Sequence, residues 1–178
     1  YYCMGADANY AGGTQEDVET IIAEYALAAN VYLAGEMTNP DDWDINKKAF
    51  KKTTADATTA TVTVTLDAKT YKFKLVVDGA WKGNGGIMKR GGNAVHEGGW
   101  SFDEDKDCQI VADIAGDYTF TWNLTDKKLT VAYPPLPKHQ VTATVNPAET
   151  GTVTGIGEYE QGSTATLVAA PAANYAFK

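Results

Sequence analysis

The amino-acid sequence predicts an all-β protein, an antiparallel β-sandwich with one helix before it and a partial second β-repeat after it. Three observations predict this class. Apolar and polar residues alternate with a period of two in several short segments. Glycine, proline, asparagine and aspartate separate these segments. A proline-rich stretch at residues 134–138 then divides the sandwich, residues 31–134, from the repeat, residues 135–178.

The first region, residues 1–30, contains one predicted amphipathic helix, "TQEDVETIIAEYALAAN". Thr14 is a suitable N-cap, and Asp17 three residues later approximates a capping box. Apolar side chains fall on one face at spacings of three, four and seven, namely Val18, Ile21, Ile22, Tyr25 and Ala29. We therefore expect this helix to pack against another element.

The middle region contains the segments with the clearest alternation. We predict strands in "VYLAGEM", "ATVTVTL", "TYKFKLVV", "CQIVADI", "GDYTFTWNL" and "KKLTVAY". Since only a short turn separates the second from the third, these two are predicted to be antiparallel neighbours. Tyr118, Phe120 and Trp122 share one strand face, which predicts that they are core residues. The glycine-rich segment from Gly79 to Gly99 is predicted to be a long loop.

Composition and charge exclude several classes of function. The 178-residue chain carries a net charge of −8, whereas proteins that bind nucleic acid or anionic membranes usually present a basic face. No apolar run approaches the ~20 residues that a membrane-spanning helix needs. The sequence thus predicts no nucleic-acid partner and no membrane insertion, and the acidic charge is compatible with an extracellular protein.

Three tryptophans, Trp43, Trp81 and Trp100, lie in predicted turns or loops beside glycine, asparagine and aspartate. Two interpretations are open for them. The indole rings could fold back and cap the sandwich, or they could form a binding surface. A flat indole face suits the apolar C–H plane of a sugar ring, and neighbouring polar side chains would then bond the hydroxyl groups.

The acidic segment "FDEDKDC" has the spacing of a calcium loop at Asp103, Asp105 and Asp107. However, cysteine stands where such a loop has glycine, and Ile114 stands where it has glutamate. A solvated acidic turn is the alternative interpretation, and it accounts better for the segment.

The remaining reactive residues do not form a recognisable catalytic or metal site. Cys3 and Cys108 could form a disulfide, but their spacing does not establish one. The two histidines are not placed to complete a zinc site, and no nucleophile motif, phosphate loop or facing carboxylate pair is evident. We expect no enzymatic activity and no cofactor.

The stretches "VYLAGEMTNPDDWD" and "YKFKLVVDGAW" resemble the early-Ig-type carbohydrate-binding modules of the glycogen- and starch-binding kind. The segment "CQIVADIAGDYTFTWNLTDKKLTVAYP" is similar to the closing hairpin of surface starch-binding modules from gut Bacteroidetes. This resemblance covers roughly residues 30–134 and implies an immunoglobulin-like sandwich. It also implies a sugar-stacking role for Trp81, a hydroxyl-bonding role for Lys74 and a stacking role for Trp43, which lies farther from Gly35 than in the family. Trp100 and Asn84 are candidate ligand-binding residues of the same site, Trp100 through stacking and Asn84 through polar contacts, and the long loop that carries them could also reshape or block it.

The tail "VTATVNPAETGTVTGIGEYEQGSTATLVAAPAANYAF" resembles the internalin-type β-repeats of bacterial surface proteins. This implies a larger extracellular protein with further domains. The sequence therefore predicts a non-catalytic module that binds a polysaccharide or oligosaccharide, with α-glucan favoured. The alternative is a structural or adhesive spacer in which the same tryptophans are buried.

Overall fold

The structure, a computed structural model, describes residues 27–37, 48–91, 100–102 and 105–177, together with Thr20 and Trp43. The chain divides into two compact units, residues 1–134 and residues 135–178, which are described separately. Within the described residues, no helix has the length and apolar character needed to cross a membrane.

The first unit consists of short strands that form one curled sheet. In chain order they are β1 (Ala28–Gly35), β2 (Ala49–Lys52), β3 (Thr59–Leu66), β4 (Thr70–Val77), β5 (Ala80–Lys82), β6 (Ile87–Met88), β7 (Trp100–Ser101), β8 (Cys108–Val111), β9 (Gly116–Asn123) and β10 (Lys128–Ala132). Their order in the sheet is β6-β8-β4-β1-β2-β3-β9-β10-β7, and β5 pairs with β4. The pairs are antiparallel except β6 with β8, which is parallel.

The sheet curls so that its two halves face each other as a sandwich. Strands β4 and β9 are separated in the sheet by β1, β2 and β3. Nevertheless, the ring centroids of Phe73 on β4 and Phe120 on β9 are only 5.7 Å apart. Phe102 packs against both Phe73 and Trp122, and all three rings belong to the hydrophobic core. Burial of these aromatic rings supplies much of the hydrophobic stabilisation of the unit.

The predicted all-β class is confirmed, and so is the core assignment of Tyr118, Phe120 and Trp122, each at most 1% exposed. The predicted hairpin between β3 and β4 is wrong. β3 pairs with β2 and β9, whereas β4 pairs with β1, β5 and β8. The physical reason is that the inward faces of β3 and β4 are both apolar, and the core buries them from opposite sides.

Two further predictions need correction at the level of single elements. Strand β1 begins at Ala28, so the predicted helix cannot extend to Asn30. Most of that helix lies outside the described residues. The predicted long loop from Gly79 to Gly99 contains β5 and β6, and its residues 92–99 also lie outside the described part of the chain.

Hydrogen bonds from Tyr118 and Arg90 stabilise the end of the first unit. The Tyr118 hydroxyl donates to the Ile114 carbonyl (2.8 Å) and to Asp113 Oδ1 (3.3 Å). Such a bond from tyrosine to the main chain four residues earlier braces corners of sandwich folds. Arg90 donates to both oxygens of Asp113 (2.6 and 3.2 Å) and to the Pro134 carbonyl (2.7 Å). The hydrogen bond from Arg90 lowers the pKa of the Asp113 carboxyl below its usual value.

Replacing Tyr118 with phenylalanine should destabilise the first unit by about 1 kcal/mol, because the Ile114 carbonyl loses its hydroxyl donor and Asp113 Oδ1 loses one of its donors. Urea unfolding followed by tryptophan emission measures this, since all four tryptophans precede Pro135. Tyr32→Phe, a change at a half-buried tyrosine of β1, is the matched control. Equal midpoints for both variants would contradict the role of the corner bond.

The second unit consists of two separate strand pairs. β11 (Lys138–Val141) pairs with β13 (Gly157–Glu160), and β12 (Gly151–Thr154) pairs with β14 (Val168–Pro171). The Tyr159 hydroxyl donates to the Gly155 carbonyl, the same four-residue corner as in the first unit. Large apolar side chains of this unit remain exposed, namely Ile156, Leu167, Val168, Tyr175 and Phe177.

Candidate functional site

A two-residue turn positions Trp81 beside strand β4. Asp78 and Gly79 have φ values of 49° and 80°, and positive φ at both central residues is what a tight type I′ hairpin turn requires. The turn folds β5 back on β4 and places Trp81 directly opposite Val76. Trp81 therefore belongs to a strand rather than to the loop that the sequence predicted.

Strand alternation then brings Trp81 and Lys74 to one face of the sheet. The residues of β4 that point into the core are Tyr71, Phe73 and Leu75. Lys72, Lys74 and Val76 lie on the other face because successive side chains alternate. Trp81 shares that face because it is paired with Val76.

An open pocket of about 570 Å³ lies on this face. Its lining residues come from the segment between β1 and β2, from β4 and β5, and from the segment before β8: Glu36, Trp43, Lys72, Lys74, Trp81, Asp105 and Asp107. The rings of Trp43 and Trp81 have centroids 6.2 Å apart, and their planes are inclined by 51°. Three residues singled out from the sequence, Trp43, Lys74 and Trp81, thus come together here.

Lys74 is the electrostatic centre of the pocket. Its ammonium contacts Asp105 Oδ1 at 2.8 Å and Asp107 Oδ1 at 3.2 Å, and it lies 6.0 Å from the centroid of the Trp81 ring. The hydrogen bond to Asp105 raises the pKa of Lys74 above its usual value, so this side chain is a cation at neutral pH.

The same contacts show what two of the three aspartates of the acidic segment bind. Asp105 and Asp107 bind the ammonium of Lys74, and Asp103 lies outside the described residues. Among the residues that the structure describes, no group of three histidine, cysteine or acidic side chains could hold a metal ion. The described geometry therefore gives no support to the calcium site.

Glu36 is a pocket residue that the sequence analysis missed. Its Oε2 accepts a hydrogen bond from the Lys72 amide (2.7 Å), and its own amide donates to the Lys72 carbonyl (3.0 Å). The backbone approach is very close, because a Cβ on Gly35 would lie 2.4 Å from the Lys72 carbonyl oxygen. The Gly-Glu pair at the end of "VYLAGEM" is a signal for this contact, but only the pairing of β1 with β4 reveals its partner.

Asn84 and Trp100 are not lining residues of this pocket. The Asn84 side chain donates to the Ser101 carbonyl (3.1 Å) and accepts from the Gly86 amide (2.9 Å) and the Cys108 thiol (3.0 Å). Trp100 lies in β7 opposite Leu129, is partly buried against the core and lies close to Gly86. Both side chains thus brace the segment between β5 and β8.

Cys108 is a buried free thiol in this structure, and Cys3 lies outside the described residues. Burial raises the pKa of the Cys108 thiol, which disfavours the reactive thiolate. The Asn84 amide also donates to its sulfur (3.2 Å). Cys108 therefore packs in the core of the first unit, and the disulfide with Cys3 considered from the sequence stays a prediction.

Comparison with family models gives a match in the second unit. Residues 141–178 match the family model of the divergent InlB B-repeat domain. This agrees with the resemblance of the tail to internalin-type repeats. No curated protein and no solved structure matches the chain. The resemblance of residues 30–134 to carbohydrate-binding modules stays a prediction.

Proposed function

We propose that the first unit is a non-catalytic carbohydrate-binding module whose ligand is an α-glucan. The observation that carries this proposal is the convergence of Trp43, Trp81 and Lys74 in one open pocket. Two indole rings beside a few polar groups are the usual composition of a site that binds sugars through stacking and hydrogen bonds.

The inclination of the two rings favours a curved polysaccharide. A flat glycan chain would need coplanar rings, whereas the planes of Trp43 and Trp81 meet at 51°. Successive residues of an α-glucan turn relative to each other, so that two sugar rings of one chain could stack on the two indoles. The pocket of about 570 Å³ has room for a short oligosaccharide segment.

The similarity of residues 141–178 to the divergent InlB B-repeat domain supports a place in a bacterial surface or secreted protein. The polysaccharide and other domains of the same protein would be the partners of the module. Because binding at a single site is weak, affinity for a polymer would depend on several modules acting together.

A spacer without glycan binding is the second candidate. It is favoured because side chains that could otherwise bind a ligand form hydrogen bonds or ion pairs within the protein. Asn84 is occupied by Ser101, Gly86 and Cys108, and the Lys74 ammonium is already paired with two carboxylates. In this case Trp43 and Trp81 would only shield Val76, which is 1% exposed.

Titration with maltoheptaose distinguishes the two candidates. If the module binds α-glucan, tryptophan emission should change and saturate at micromolar to millimolar sugar, since each stacked ring contributes about 1–3 kcal/mol by analogy with bases stacked on aromatic side chains. Cellohexaose, a straighter β-linked chain, is the control and should bind more weakly. No saturable change with maltoheptaose or glycogen would leave the spacer as the better account.

A further inference from the structure

We propose that Asp105 and Asp107 are ligand-binding residues that accept hydrogen bonds from sugar hydroxyls and make the pocket selective for neutral over anionic glycans. This inference rests on the proposed function and adds two binding residues and a charge preference to the same site. The sequence analysis assigned these aspartates to a calcium loop or to a solvated turn, not to the binding site.

The charged groups of Lys74, Asp105 and Asp107 differ in how accessible they are to a ligand. The side chains of Asp105 and Asp107 are 67% and 46% exposed, whereas that of Lys74 is 18% exposed. The Lys74 side chain is thus the least accessible of the three, and a sugar that enters from solvent meets the carboxylates more readily than the ammonium. An ionised carboxylate only accepts hydrogen bonds, so it suits hydroxyl donors.

The residues that line the pocket carry a net negative charge. Glu36, Asp105 and Asp107 contribute three negative charges, and Lys72 and Lys74 contribute two positive ones. Asp105 Oδ1 and Asp107 Oδ1 both lie within 3.2 Å of the Lys74 nitrogen, so these two carboxylates largely balance the charge of the ammonium. Because the Lys74 ammonium is already paired, a sulfate, phosphate or carboxylate group on the glycan would meet the two aspartates and be repelled by them.

Lys74 holds the carboxylates of Asp105 and Asp107 in place. One ammonium bridges side chains two residues apart, and the segment that carries them lies against the hairpin of β4 and β5. A Cβ on Gly83, which follows β5, would lie 1.8 Å from the Lys106 carbonyl oxygen. Glycine at this position therefore permits the close approach that brings Asp105 and Asp107 to Trp81.

The first measurement tests the charge of the pocket without any glycan. In a Trp100→Phe background, Trp43 and Trp81 are the accessible fluorophores, because Trp122 is 1% exposed. We expect caesium to quench their emission more efficiently than iodide at low ionic strength, and high salt should reduce the difference. Equal quenching by both ions, or stronger quenching by iodide, would overturn the proposed charge selectivity whatever the glycan affinity.

The second measurement compares maltoheptaose with its sulfated derivative. For the native chain we expect the sulfated sugar to bind more weakly than maltoheptaose at low salt, by about tenfold or by a larger factor. In the Asp105→Asn, Asp107→Asn double variant, maltoheptaose should bind roughly tenfold more weakly because charge-assisted hydrogen bonds are lost, and the discrimination should shrink. Glu158→Gln with Glu160→Gln, two exposed acidic positions of β13, removes the same charge elsewhere and should change neither quantity.

The outcomes separate this inference from the proposed function. Native affinity for maltoheptaose in the double variant would show that the aspartates do not bind the ligand, while the module itself would still bind glucan. Stronger quenching by caesium together with no binding of maltoheptaose would contradict both the α-glucan function and the hydroxyl-accepting role. Equal affinity for both sugars would overturn the selectivity alone.

Discussion

Replacement of Trp81 with alanine is expected to abolish measurable binding of α-glucan. Trp81 is opposite Val76 on the hairpin and faces both Trp43 and Lys74. Loss of one stacked ring costs about 1–3 kcal/mol, which is a five- to 150-fold loss of affinity. For a weak binder this moves the dissociation constant beyond the accessible sugar concentration. Isothermal titration with maltoheptaose measures the effect without depending on the removed fluorophore.

Trp100→Phe is the matched control for this experiment. Trp100 is also a partly buried indole of a short strand, but it packs against the core and does not line the pocket. Its replacement should leave the affinity within about twofold, which is small compared with the loss of a stacked ring. A native affinity for Trp81→Ala, or an equal loss in both variants, would contradict the assigned position of the site.

The largest effect on stability is expected for Phe73→Ala. Phe73 is fully buried and contacts the rings of Phe102 and Phe120, so it joins the two halves of the sandwich. Truncating a buried phenylalanine to alanine typically costs about 3–5 kcal/mol, because transfer energy is lost and a cavity remains. Since domains of this size are stable by only about 5–15 kcal/mol, a marked shift of the urea midpoint should result.

Phe177→Ala provides the comparison for this stability measurement. Phe177 is 68% exposed and lies in the second unit, so its removal creates no cavity in the sandwich. Tryptophan emission reports the first unit only, because the chain has no tryptophan after Trp122. A loss below about 1 kcal/mol for Phe73→Ala would show that the core does not depend on this ring.

Local pattern was sufficient for six of the ten strands described in the first unit. The alternation in "ATVTVTL", "TYKFKLVV" and "GDYTFTWNL" predicted β3, β4 and β9, because each strand has one face in the core and one in water. Strand β2, "AFKK", was missed because it has only four residues and one fully buried apolar side chain, Phe50. A period of two cannot be recognised in so short a segment.

The candidate site was predicted only in part. The Asp-Gly turn and the period of β4 are local features, and they are sufficient to place Trp81 and Lys74 on one face. The sequence did not distinguish Trp43, which lines the pocket, from Trp100, which packs against the core, since both have similar neighbours. Trp100 lies against the core because β7 pairs with β10, a contact between segments far apart in the chain.

The sequence by itself determined the longer strands of the first unit and which of their faces are apolar, since these depend on side-chain alternation and backbone preferences over a few residues. Tertiary structure alone decided the strand partners, the missing β3–β4 hairpin and the pairing of Lys74 with Asp105 and Asp107. The physical reason is that the hydrophobic effect requires apolar faces to be buried but does not specify against which partner. The partner depends on how the whole sheet curls around one core.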